Sequence, residues 1–132
     1  ERDPLTRCAD HGTPQVRFDL LQEIRKRVRV PLVLHGASAV SSALVNQARK
    51  YGAQLSGVQG VPDVQLKKAI ALGIAKINTD TDLRIAFDAA VRTVLQDQPK
   101  DIDPRHMLGP AREAIQHVVE QRLRLFGSVG KK

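Results

Sequence analysis

A chain of 132 residues that is 42% hydrophobic and 27% charged has the composition of a globular domain, not of a disordered segment, and no stretch of it approaches the ~18 consecutive apolar residues of a membrane span. The formal charge of +7 could suggest a nucleic-acid partner, but the basic residues stand beside Glu and Asp on helical faces and aromatics make up only 3%, so no nucleic-acid role is expected, and small anionic substrates explain the charge equally well. Cys8 is the single cysteine, which excludes an internal disulfide, and Glu1-Arg2-Asp3-Pro4 has no signal-peptide pattern, so a reducing, cytoplasmic setting is expected.

Residues 1 to 17 mix charge, Pro and Gly without period and are predicted irregular. Asp19 can cap a helix whose apolar stripe is Leu20, Leu21, Ile24 and Val28. Residues 31 to 34 are expected to form a strand buried on both sides, as parallel strands are, with Pro31 and Val33 on the face that His35 shares. Ser41 or Ser42 starts a short helix carrying Leu44, Val45 and Ala48 that Gly52 closes, and a loop follows over residues 53 to 61. Pro62 opens the next helix, with Leu66, Ala69 and Ile70 on one face and Gly73 at its end. The strand of residues 74 to 78 puts Lys76 and Asn78 on one face, where a buried Lys76 would need a carboxylate partner.

Asp80 or Thr81 then begins a long helix through Leu83, Phe87, Ala90, Val91, Val94 and Leu95, stopped by Pro99. Asp103-Pro104-Arg105 is predicted to be a short turn, and Gly109-Pro110 to open a last helix with Ala114, Ile115, Val118, Val119 and Leu125 before Gly127. The order is helix, strand, two helices, strand, two helices. That is too few strands to close a sheet on itself, and 132 residues is about half the ~250 typical of a closed barrel of eight parallel strands.

Two strand ends carry the chemistry. Leu32-Val33-Leu34 runs into His35-Gly36-Ala37-Ser38, and Ile74-Ala75-Lys76-Ile77 runs into Asn78-Thr79-Asp80-Thr81-Asp82. Parallel α/β enzymes present ligands and polar groups at the carboxyl ends of their strands, where following backbone N–H groups receive phosphate. A neutral imidazole at His35 suits Zn²⁺, Gly36 permits close approach of a phosphate oxygen, and the Ser38 hydroxyl can donate to it. Within the second cluster one of Asp80, Thr81 or Asp82 must cap a helix; Asn78, which precedes the cap, has no such structural duty.

The pairing of Val-Leu-His35-Gly-Ala-Ser38 with Gly-Ile-Ala-Lys-Ile-Asn78-Thr-Asp80-Thr81-Asp82-Leu-Arg resembles the last two strand ends of class II, zinc-dependent fructose-bisphosphate aldolases. The tail from Asp103-Pro104-Arg105 through Gly109-Pro110-Ala111-Arg112 to Leu125-Phe126-Gly127-Ser128 is similar to the end of the same enzymes, so the resemblance covers roughly residues 18 to 132, with three motifs in family order. It implies an α/β chain forming the C-terminal part of a (β/α)8 TIM barrel, one partial domain over residues 1–132. The implied activity, in a complete enzyme, is cleavage of fructose 1,6-bisphosphate to dihydroxyacetone phosphate and glyceraldehyde 3-phosphate, within a homo-oligomer of two or four subunits.

By the same resemblance, His35 is one of three histidine zinc ligands, and Gly36 and Ser38 hold the phosphate of the dihydroxyacetone phosphate half. Asn78 contacts the substrate or enediolate near the reacting carbons, Asp80 and Thr81 bind substrate hydroxyl and phosphate, and Arg105 reaches across a dimer interface to the far phosphate. His11-Gly12 stands about where a second zinc-ligand His-Gly is expected. Its surroundings are only partly family-like: Gln15 stands where a phosphate-binding Lys is expected, and Asp10-His11-Gly12 also resembles the sequence around an earlier ligand, so His11 aligns either way. The strands that would carry the remaining histidine and the proton-moving Asp do not occur in this sequence. Two alternatives follow: an inactive aldolase-like fragment with residual phosphate binding, and a tagatose-bisphosphate aldolase, whose substrate differs at one stereocentre.

Overall fold

The computed structural model describes residues 14–38 and 40–131 and the backbone of residues 6–7; His11 and Cys8 lie outside the described residues. By its contacts the chain divides into two compact units, residues 1–39 with 59–79, and residues 40–58 with 80–132.

In the first unit, β1 (Thr6–Arg7) and β2 (Gln15–Val16) pair antiparallel, Thr6 opposite Val16. This short pairing falls in the stretch expected to be irregular, and two-residue strands are too brief to leave an alternating pattern in sequence. The Val16 N–H donates to Gln65 Oε1 at 2.8 Å, tying β2 to the helix that contains Gln65. Helix α1 (Phe18–Arg27) has Asp19 in its first turn, not at the cap. Its carboxylate takes a hydrogen bond from Arg17 Nε at 2.9 Å, and that bond is the main reason its pKa falls to about 2.

Strand β3 (Leu32–Leu34) pairs parallel with β4 (Ile74–Ile77), with Val33 opposite Lys76 and Leu34 opposite Ile77. The Asn78 N–H extends the ladder by donating to the Leu34 carbonyl at 3.1 Å. Helix α3 (Asp63–Ala71) leads into β4, and the turn at Gly73 has φ +105°. Leu21, Leu34, Leu66 and Ala69 are fully buried. The opposite face is open: Val33 is 44% exposed and Lys76 is exposed. The strand expected to be buried on both sides is therefore buried on one, and Lys76 in water calls for no carboxylate partner.

The second unit is helical. Helices α2 (Ser42–Lys50) and α4 (Thr81–Asp97) enclose a core of Val45, Ala48, Ala53, Ile85 and Ala89, and α5 (Pro104–Leu125) packs along α4. The buried face of α4 is Asp82, Ile85, Ala86 and Ala89, whereas Phe87 and Leu95, expected in the stripe, are 40% and 49% exposed. Small alanines admit neighbouring helices closely, so close approach outweighs side-chain size in choosing the buried face. Helix α5 also corrects an expectation, since the turn at residues 103 to 105 and the helix from Gly109-Pro110 are one continuous element. Asp103 caps it by accepting from the Arg105 N–H at 2.9 Å, and Pro104 occupies the first turn, where its missing N–H has no role. Pro110 inside the helix withdraws one donor, while burial of Ala111 and Val118 anchors the element beyond the deficit.

The result is an α/β chain with a short parallel sheet that does not close, as expected of the last βα units of a barrel. Among the described residues no helix is long and apolar enough to cross a membrane.

Candidate active site at the strand ends

The parallel pairing fixes one end of the site. Because Leu34 and Ile77 are register partners, the residues that follow them, His35 and Asn78, emerge side by side at the carboxyl ends of neighbouring strands. His35 is exposed and Asn78 half-buried. Gly36 follows at φ +65°, with nothing within 4 Å of where a Cβ would stand, so this left-handed position favours glycine and leaves its backbone open to a ligand. Ala37 is buried, and the Ser38 carbonyl accepts from the Val61 N–H at 3.1 Å. That bond anchors the loop and leaves the half-buried Ser38 beside Gly36. The first unit thus sets the segment of His35, Gly36 and Ser38 after β3 beside Asn78 after β4, two strand ends distant in sequence.

Asp80, Thr81 and Arg105 fall in the second unit. Asp80 precedes α4 without a side-chain cap bond; its carboxylate instead accepts from Arg84 Nε at 2.8 Å. The exposed Thr81 lines an open cavity of about 610 Å³ together with Leu55, Val58, Arg84, Ile85 and Arg92. The loop on the cavity's other side is tied down by arginines: Arg49 donates to the Leu55 carbonyl at 2.6 and 3.1 Å, and Arg92 to the Tyr51 carbonyl at 3.4 Å. The Arg105 side chain is 86% exposed and folds back on Asp103 through Nε at 3.0 Å, which holds the Asp103 carboxyl below its usual range.

Sequence reasoning gave Asp82 no role beyond a possible cap. The structure buries it completely, with Oδ2 accepting from Arg122 Nε at 2.9 Å. The available signal was an acidic residue one turn before the buried Ile85 and Ala86, on their side of α4.

Among the described residues no three His, Cys, Asp or Glu side chains gather as a metal site. His35 is one competent nitrogen donor. Catalytic zinc takes three protein ligands, so the described residues do not complete a zinc centre.

A chain with these strand ends can be set against known proteins. Residues 8–131 match the family model for class II fructose-bisphosphate aldolase. The chain belongs to the class II fructose-bisphosphate aldolase family. It is 54% identical over 120 residues to the fructose-bisphosphate aldolase of Thermus caldophilus, covering 91% of this chain and 39% of that protein. It is 43% identical over 120 residues to the fructose-bisphosphate aldolase of Helicobacter pylori (strain J99), with the same coverage. A sulfofructosephosphate aldolase of Alkalicoccus urumqiensis is 40% identical over 118 residues, covering 89% of this chain and 34% of that protein. Among solved structures, the crystal structure of the YdjI aldolase from Escherichia coli K12 superposes with a TM-score of 0.65 at 37% identity, covering 89% of this chain and 36% of that one. The chain thus spans about two-fifths of the length of the curated relatives it matches.

Proposed function

We propose that this chain supplies the carboxyl-terminal strand ends of a cytoplasmic, zinc-dependent class II aldolase. The enzyme would cleave fructose 1,6-bisphosphate to dihydroxyacetone phosphate and glyceraldehyde 3-phosphate. The observation that carries the reading is the β3–β4 register, which sets His35 beside Asn78 with Gly36 and Ser38 next to them.

In this assignment Gly36 admits a phosphate oxygen to the backbone and the Ser38 hydroxyl donates to it. Cleavage breaks the C3–C4 bond: the C4 hydroxyl passes its proton to a base of the complete enzyme and becomes an aldehyde, the electron pair remains on C3 of the three-carbon ketone half, and a proton returned to C3 gives dihydroxyacetone phosphate. The Asn78 amide donates a hydrogen bond where that half gains negative charge. Asp80 accepts from a substrate hydroxyl and Thr81 donates to phosphate, so donors at each end fix the reacting carbons between them. Arg105 serves the far phosphate of a neighbouring subunit, its planar fork matching two oxygens. His35 would hold zinc as one of its ligands, and the bound ion would supply Lewis-acid stabilisation of the charge. His11 is the candidate for another.

Relatives are named for a fructose bisphosphate in one case and for a sulfofructose phosphate in another; tagatose 1,6-bisphosphate, which differs from the fructose sugar at one stereocentre, is the second sugar to test. The test is a chimera in which the amino-terminal part of the Thermus caldophilus relative is joined to this chain, giving a completed barrel. Coupled cleavage assays should show turnover of fructose 1,6-bisphosphate, and turnover of the tagatose sugar alone would replace the assigned substrate. A folded, zinc-loaded chimera that cleaves neither contradicts the proposal.

A further inference from the structure

The sequence Asp80-Thr81-Asp82 holds two carboxylates two residues apart that the fold treats in opposite ways. Asp80 is exposed and pairs with Arg84 one turn along α4. Asp82 is fully buried, and its partner Arg122, whose side chain is 11% exposed, comes from α5, 40 residues further along the chain. Its second oxygen, Oδ1, has no hydrogen-bond partner among the described residues. A buried carboxylate with one oxygen unsatisfied is a poor device for stability alone, because apolar residues of similar volume often serve as well or better. What such a pair supplies is position, since the Arg122 Nε meets the carboxylate at one place along α4 and α5 cannot slide past it without leaving a charge buried and unmatched.

We propose that Asp82 and Arg122 are a positioning pair that fixes the start of α4 against α5 and so holds Asp80 and Thr81 in register for substrate. This rests on the substrate roles proposed above for Asp80 and Thr81. The pair is assigned no contact with substrate or metal. It acts through the backbone: the Arg84 N–H bonds the Asp80 carbonyl at 3.1 Å, so a first turn of α4 that loosens at Asp82 releases both residues before it.

Two measurements test the pair. The first is amide hydrogen exchange on this chain. In Asp82→Asn and Arg122→Met, exchange at Arg84, Ile85 and Ala86 should quicken on the order of tenfold or more, while amides of α2 stay protected. Arg122→Lys, which keeps a cation beside the carboxylate, should retain most of the protection. Equal acceleration throughout the second unit, or none at residues 84–86, overturns the proposal. Should Asp82→Asn fail to fold, the comparison of Arg122→Met with Arg122→Lys decides alone. The second is steady-state kinetics in the completed barrel. Asp82→Asn should raise KM for the bisphosphate and lower kcat together, with zinc content and the fraction of folded protein unchanged, and Arg122→Lys should recover part of the loss. Localised exchange with unchanged kinetics in an active chimera overturns the link to substrate. An inactive parent chimera instead contradicts the function proposed above, leaving the exchange result to judge the pair.

Discussion

Arg105 is held by its own cap residue, since the guanidinium binds Asp103 while 86% of its side chain stays exposed. To serve a neighbouring subunit it must exchange a carboxylate for a phosphate, which a bidentate fork can do without changing its geometry. In the completed barrel, Arg105→Ala should weaken binding of the far phosphate by about 2–3 kcal/mol and leave zinc content unaltered. Mixing it with His35→Ala tests where it acts: mixed dimers should regain one intact site, and exchange of subunits without recovered activity would place Arg105 in its own subunit's site or in none. Beside it, His106 Nδ1 lies 2.7 Å from Asp101 Oδ2, and this bond raises the imidazole pKa above its ordinary value. Asp101 is held below its own range, first by the Asp103 N–H and then by His106. A raised histidine pKa stabilises the start of α5 below the unfolded imidazole value and loses that contribution as pH rises through the folded value; the lowered carboxylate pKa adds stability that disappears only in acid. Protection of the first turns of α5 should therefore be greatest in mildly acidic solution and decline above neutrality. An NMR titration placing the His106 pKa at or below that of a free imidazole would refute this.

The elements that determine the site are short, and two substitutions probe how they are built. At the α3–β4 turn, a Cβ on Gly73 would stand 2.9 Å from Arg25 Nε at φ +105°, so Gly73→Ala should cost about 1–3 kcal/mol in urea unfolding. Full stability would mean that the left-handed turn is not required. In α5, Pro110→Ala restores the donor to the His106 carbonyl and should stabilise by about 1–3 kcal/mol; no gain would show that the helix has already relaxed around its proline. Both strand ends and the α3–β4 turn could be read from sequence, because an apolar run broken by Gly73 and ending in polar residues is a local pattern. The α4 stripe and the continuity of α5 could not. Which face of α4 is buried depends on how closely α2 and α5 approach, and whether Pro110 ends a helix depends on the packing of Ala111 and Val118. The pairing of Asp82 with Arg122 was illegible for the same reason, since the two lie 40 residues apart.

For the molecule as a whole, the described strand ends offer one histidine donor, His35, and His11 lies outside the described residues. His106 and His117 sit exposed on α5, away from the strand ends in sequence. With three protein ligands usual for catalytic zinc, this chain by itself should bind zinc weakly and show no appreciable aldol cleavage in a coupled assay; a family-like rate would contradict that. The charge of +7 suits anionic substrates without specifying them. The central claim is that the paired ends of β3 and β4 form part of an aldolase site, and it is tested most directly by kcat for bisphosphate cleavage in the completed barrel carrying Asn78→Ala. Loss of one preorganised donor to developing charge should lower kcat on the order of 10²–10³-fold with the fold and zinc content intact. An unchanged kcat would contradict the account.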